Sequence, residues 1–213
     1  GSGSLATTSF RGGSASQTAI LWNGFNLNSA MNGIMDLSLI PAFFIDKISL
    51  QYGGNSALWG SGAVGGSIHL DNTPVFEKAI SASVGASFGS FDDYKQNAAI
   101  KYSNNKFSSS LKIFNHSAQN NFEFYNTTLP NFKEQKQTNA ALKQCGILSE
   151  NYYKINLHQK INLFFWYQNN QRQIPPTMLQ VSSKAEQLDK NYRISSEWQR
   201  TGEKIIWFIR GAY

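Results

Sequence analysis

Residues 53–70 read "GGNSALWGSGAVGGSIHL", and within them Gly60-Ser61-Gly62-Ala63-Val64-Gly65 spells G-x-G-x-x-G, the fingerprint of a dinucleotide-binding turn. A dinucleotide site needs a strand, the glycine turn, and then a helix whose N-terminus receives the pyrophosphate. Here Gly65-Gly66 runs into "SIHLDN", a strand-like stretch that ends in a turn. Glu77 does not close the second strand of a βαβ unit, and no G-K-[S/T] follows that would make a P-loop. The glycines are therefore expected to permit tight turns and close backbone approach.

Composition narrows the setting. Only 15% of the residues are charged, against roughly 25% for an ordinary soluble domain. Aromatics reach 14%, and Ser, Asn and Gln supply most of the remaining polarity, which suits strands and a surface that is not wholly aqueous. The net charge of +6 is scattered, with no Lys/Arg block longer than two residues, so the clustered basic groove of a nucleic-acid binder is absent. Basic side chains beside anionic lipid headgroups are the better use for this charge. Cys145 is the single cysteine, which excludes a disulfide framework and a thiolate metal cluster. His69, His116 and His158 show no metal-ligand spacing, and no apolar run is long enough for a transmembrane helix. "GSGSLATTSF" lacks the charged and apolar regions of a signal peptide and implies a mature or truncated start.

The chain has two grammars. Residues 1–73 are rich in Gly and Asn, with short strand-like runs in "TAILWNGF" (18–25), "FFIDKISLQY" (43–52) and "GSIHL" (66–70). "DLSLIP" (36–41) predicts one helical turn stopped at Pro41, and "NSALWG" (55–60) another, with Asn55 as N-cap and Gly60 as terminator. After Pro74 long alternations begin. In 80–88 the even positions are Ile80, Ala82, Val84, Ala86 and Phe88, and the odd ones are small and polar. In 188–199 one face carries Leu188, Tyr192, Ile194 and Trp198, with Lys190 and Ser196 as exceptions, and the other is wholly polar. Further strands are predicted near 93–103, 106–117, 138–156, 161–172 and 204–213, seven in all.

Tight turns at 103–106, 158–160 and 200–204 alternate with long connections at 118–137 and 173–187, of which 89–93 is a short counterpart. Long loops at one end and tight turns at the other make the pattern of an outer-membrane barrel. Phe88, Phe91 and Tyr94 at one hairpin, and Tyr102 with Phe107 at another, are candidates for aromatic girdles. A soluble β-sandwich shares the alternation strand by strand and stays open as the alternative. Seven strands do not close a barrel in lipid, so the chain is expected to be a fragment of something longer.

"SFRGG" (9–13), "TAILWNGFNLNSAMNG" (18–33) and "DLSLIPAFFIDKISLQYGGNSALWGSGAVGGSIHL" (36–70) together resemble the second half of a TonB-dependent receptor plug. The family's elements stand in order over most of residues 9–70, with Asn23-Gly24 where Asp-Gly is commoner and Trp59 where Tyr is commoner. The resemblance implies a mostly β chain: a small α/β plug over 1–73, then antiparallel transmembrane strands over 74–213 that form part of a barrel of about 22. It implies active uptake across the outer membrane of a scarce nutrient such as cobalamin or a ferric siderophore. TonB would supply the energy through a box that this stretch does not include, and a substrate-binding lipoprotein is a further possible partner. It is closer to the cobalamin and siderophore branch than to glycan-uptake receptors, and it calls for no cofactor and no metal.

The resemblance also assigns residues. Arg11 and Gly12 would sit against the barrel wall, with barrel carboxylates around Arg11, and Gly24, Gly53, Gly60, Gly62, Gly65 and Gly66 would serve turns and plug–wall contact. The outward plug loops would meet substrate through Ser14, Ser16, Gln17, Asn26, Asn28, Ser29, Met31 and Asn32. Their amides and one adaptable thioether suit a neutral or polar chelate. Phe122, Phe124 and Tyr125 in the second long loop would act as a substrate lid or pack within that loop. Two competing functions remain: a soluble β-rich adhesin or carbohydrate-binding module, and a dehydrogenase that would need nicotinamide. No nucleophile–base or carboxylate pair has an interpretable spacing, so no catalysis is assigned.

Overall fold

Asn23 and Gly24 both hold positive φ, 47° and 82°. Two such residues in sequence make a type I′ turn, whose twist matches that of the strands it joins. It connects β1 (Thr18–Trp22) to β2 (Phe25–Asn26) in antiparallel pairing, Trp22 opposite Phe25. The computed structural model describes residues 2–10, 12–53, 56–128 and 133–213. The chain divides into two compact units, one over Gly3–Pro74 and the other over Val75–Tyr213 together with Ser2.

In the first unit β3 (Lys47–Tyr52) pairs antiparallel with β4 (Gly66–Asp71), and β4 pairs in parallel with β1 from Thr18 opposite Gly66 to Trp22 opposite Leu70. The order is β2-β1-β4-β3. Central β1 is buried along its whole length, which is why it reads as an unbroken apolar run. Ile20, Ile68 and Leu70 pack on one face beneath Phe10, Leu27, Met35, Leu37, Ile40 and Ile45. Ala19, Leu21 and Ala63 pack together in a second core cluster, beside Trp59. The predicted strand 43–52 starts only at Lys47. Ala42–Phe44 forms a 3-10 turn after Pro41, and the Asp46 N–H donates to Asn72 Oδ1 (2.6 Å) instead of to a neighbouring strand. Leu37–Leu39 is likewise a 3-10 turn, with Asp36 Oδ1 accepting from the Ser38 N–H (3.0 Å). Ser56–Trp59 is a single α-turn, Gly60 leaves it at φ 85°, and the glycine stretch then enters β4. No helix follows the G-x-G-x-x-G turn. The suggested N-cap Asn55 lies outside the described residues.

The second unit is a seven-stranded antiparallel sheet. Its strands are β5 (Ala79–Gly89), β6 (Asp93–Ser103), β7 (Phe107–Ala118), β10 (Leu142–Lys154), β11 (Gln159–Gln173), β12 (Glu186–Thr201) and β13 (Ile206–Ala212). Between β7 and β10 the long loop carries its own hairpin, β8 (Glu123–Asn126) with β9 (Lys133–Lys136). The seven long strands lie side by side in chain order. Residues 138–141, expected to extend β10, stay outside it: Asn139 turns the chain at φ 50°.

Register sorts the side chains into two faces. One row runs Val84, Ala98, Ile113, Ile147, Tyr167, Tyr192, and its neighbour on the opposite face runs Ala99, Lys112, Leu148, Trp166, Arg193. The exposure of these faces is inverted relative to a soluble sandwich. Ile147, Ile161, Leu163, Phe165, Tyr192 and Ile194 on the apolar face are exposed, whereas Lys112, Gln144, Glu150, Asn162, Gln168 and Asn170 on the other face are buried. A soluble sheet buries its apolar side, so this sheet is built for a non-aqueous exterior.

Candidate functional site

In the first unit two loops meet at Ser16 and Gly33: a Cβ on Gly33 would stand 3.4 Å from that of Ser16. The 26–33 loop is shaped by Asn28. Its Oδ1 accepts the Ile20 N–H (2.9 Å), and its Nδ2 donates to the carbonyls of Thr18 (2.9 Å) and Gly33 (2.7 Å). Asn26 Oδ1 accepts from the Asn28 N–H, Ser29 Oγ from the Met31 N–H, and Asn32 Oδ1 from the Ile34 N–H. In the neighbouring loop Gln17 Oε1 accepts the Ser14 N–H, and the Ser14 and Ser16 hydroxyls bond each other (2.8 Å). The side chains of Asn26, Ser29 and Asn32 thus each fold back on the backbone two residues on, which is how short polar residues build compact turns. Asn26 and Asn32 are exposed, and Met31 is 91% exposed. Of the expected contact residues, Asn26, Ser29, Met31 and Asn32 stand on the loop surface, and Asn28 is the loop's internal brace.

The glycines have jobs inside this unit. Gly65 donates its N–H to Gln17 O (2.9 Å), and a Cβ there would lie 3.1 Å from the same oxygen. A Cβ on Gly66 would lie 2.8 Å from Gln51 O and 2.9 Å from the Phe10 ring, at φ 155°. Gly62 approaches Ser16 O, while Gly12, Gly53 and Gly60 occupy turns with open space around them. Arg11 lies outside the described residues.

In the second unit the polar face holds linked hydrogen bonds that single-strand patterning could not assemble. His116 bridges Asp93 Oδ1 (3.1 Å) and Gln144 Oε1 (3.3 Å). Asn162 donates to Glu197 Oε1 (2.9 Å), and Arg210 pairs with the same carboxylate. The Arg193 guanidinium lies over the Trp166 ring at 4.7 Å. A polar alternation was the only sequence signal for this network; the partners come from register. On the apolar face Phe88 meets Tyr94 edge to face (5.7 Å) and Tyr102 meets Phe107 (6.3 Å). Phe91 departs from that group: at φ 63° its ring turns to Phe122 in the next loop, 6.0 Å away. Among the described residues no group of three His, Cys, Asp or Glu side chains could hold a metal ion.

Comparison with known proteins gives the following. Residues 1–67 match the family described as TonB-dependent Receptor Plug Domain. The chain is 40% identical over 74 residues to the vitamin B12 transporter BtuB of Vibrio vulnificus (strain YJ016), covering 35% of this chain and 12% of that protein. It is 34% identical over 92 residues to the same-named protein of Vibrio cholerae serotype O1, covering 43% of this chain and 15% of that one. Crystal structures of the siderophore receptors PiuA and PirA from Acinetobacter baumannii align over 98% and 96% of the chain, with TM-scores of 0.67 and 0.70. Their identities are 15% and 14%, so they speak to the fold, and the chain covers 31% and 32% of them. The chain thus spans only a minor part of the length of each of these relatives.

Proposed function

We propose that this chain is a segment of a TonB-dependent receptor, a plug followed by barrel strands, and that the whole protein takes up cobalamin or a ferric chelate across the outer membrane. The observation that carries this reading is the inverted sheet: apolar side chains face out and a hydrogen-bonded polar face is buried. Such a sheet suits a lipid exterior and a polar lumen. Residues 1–73 act as the plug and 74–213 as the first barrel strands, with substrate held by the outward loops of both. In the plug, Asn26, Ser29, Met31 and Asn32 meet the substrate, supported by Ser14, Ser16 and Gln17. TonB drives release by strand addition to a box elsewhere in the protein. The work is binding and transport, with no chemistry on the substrate and no resident cofactor.

The test is uptake in cells carrying the full-length gene as their sole receptor of this kind. Labelled cyanocobalamin or a ferric chelate should accumulate when TonB is present and should stop at surface binding when TonB is deleted. Accumulation that persists without TonB, or no surface binding of either ligand class, would overturn the proposal.

A further inference from the structure

The apolar face of the seven-stranded sheet changes character toward the long connections. Among the described residues its strands carry four charged side chains on this face: Lys143, Lys190, Glu186 and Arg200. Arg200 is the single one at the tight-turn end, and the other three lie at the loop end, past the point where the apolar band stops. The edge of the band there is the cross-strand pair Tyr167 and Tyr192, with ring centroids 4.9 Å apart. Tyrosines in such a position mark the boundary between hydrocarbon and headgroups. Lys190 is the next residue on this face after Tyr192, opposite Asn169. Lys143 stands one row farther on, opposite Ser117 and Gln171.

Both lysines are exposed. Neither has a carboxylate opposite it in register, and among the described residues neither takes part in an ion pair. Glu186, two rows beyond Lys190, accepts from Gln171 Nε2 (3.5 Å). Strand spacing and rise put the two lysine Cα atoms about 12 Å apart, with Asn169 and Gln171 on the strand between them. A lysine ammonium is a compact cation on a flexible stem, and it meets phosphate as a point charge. Two such cations without carboxylate partners, directly above an apolar band, fit a medium that supplies the anions itself, as a layer of phosphate-bearing headgroups does. The amides of Asn169 and Gln171 add donors and acceptors for the hydroxyl and amide groups of a sugar headgroup. Because the patch continues the band that hydrocarbon covers, a lipid reaches both at once, and a protein partner would have to displace that lipid first.

We propose that Lys143 and Lys190, with Asn169 and Gln171 between them, form a docking site on the lipid-facing wall for a phosphorylated glycolipid headgroup of the outer leaflet. The proposal rests on the outer-membrane reading, in which the long connections lie on the outside. Its test uses the full-length receptor in detergent, titrated with bisphosphorylated lipid A and with dephosphorylated lipid A, the bound lipid being counted by native mass spectrometry. Lys143→Gln/Lys190→Gln removes both charges, Lys143→Arg/Lys190→Arg keeps them, and Arg200→Gln at the far end is the control. Heat-modifiable migration verifies that each variant is folded. Bisphosphorylated lipid A should bind the wild type and bind the glutamine double variant about tenfold more weakly, with the arginine variant and the control matching the wild type. Unaltered affinity in the glutamine variant, or no binding to the wild type, overturns the site. Equal binding of the dephosphorylated lipid overturns phosphate recognition, and displacement of lipid A by inorganic phosphate overturns the choice of a lipid over a free anion. Binding of cyanocobalamin and of a ferric chelate is measured on the same samples. Absence of both from the wild type overturns the uptake reading alone, since the lipid result is read independently of them.

Discussion

Asn28 and Asn32 lie four residues apart in one loop, and sequence alone gives them the same role. The structure separates them. Asn28 supplies one acceptor and two donors to the backbone groups of Ile20, Thr18 and Gly33, of which Thr18 and Ile20 belong to the buried strand β1. Replacing it with Ala leaves those groups unsatisfied, at about 1–3 kcal/mol for the worst placed of them. Asn28→Ala in the full-length receptor should therefore raise amide exchange across residues 18–33 by about fivefold or more, since 1.4 kcal/mol is tenfold in an equilibrium constant. Asn32→Ala removes only an acceptor for the exposed Ile34 turn and should leave exchange in β1 unchanged. If Asn32 meets substrate, its removal should lower affinity instead. Equal exchange effects of the two changes would sink the distinction. Residue type and loop position were legible in advance; which asparagine turns inward depends on how the loop folds back to bring Asn28 against the backbone of Thr18 and Ile20 in β1.

Strands were the most legible elements, because period two survives translation into any sheet: Leu188, Tyr192, Ile194 and Trp198 do share one face. What sequence could not supply is the register between strands, and with it the slant of the apolar band. Following one cross-strand row on the apolar face, Phe88 and Tyr94 give way to Ser117, Lys143 and Gln171. The row leaves the apolar band as it crosses the sheet, as expected where strands tilt about 35–45° to the membrane normal. Along β11 the band therefore covers Ile161, Leu163, Phe165 and Tyr167 and ends before Asn169 and Gln171. Leu163→Arg puts a cation within the band and should cost about 2–4 kcal/mol, while Gln171→Arg beyond its edge should cost about 0–1 kcal/mol. Urea titration of the full-length receptor in vesicles measures both. Equal losses at the two sites would refute a slanted band. The β8–β9 hairpin escaped prediction for a different reason: its four-residue strands are too short to display a period.

At the scale of the molecule, the seven-stranded sheet is open. β5 and β13 each pair on one side only among the described residues, and β5 alone is 11 residues long. In water such an edge is a template for association; in hydrocarbon each unpaired N–H or C=O costs several kcal/mol. A dozen such groups would outweigh the about 5–15 kcal/mol that stabilises a typical folded domain. The sheet can therefore occupy a bilayer only when both edges are closed by further strands, which agrees with the small share of each relative that this chain covers. The 213-residue chain, refolded alone with lipid vesicles, should give no protease-protected monomer, and its β5 and β13 amides should exchange far faster than those of β10 and β11. In the full-length receptor the same two strands should be protected as well as the centre of the sheet. A lone segment that inserts as a monomer with uniformly slow exchange would mean that its edges close on each other, and the partial-barrel reading would have to be abandoned.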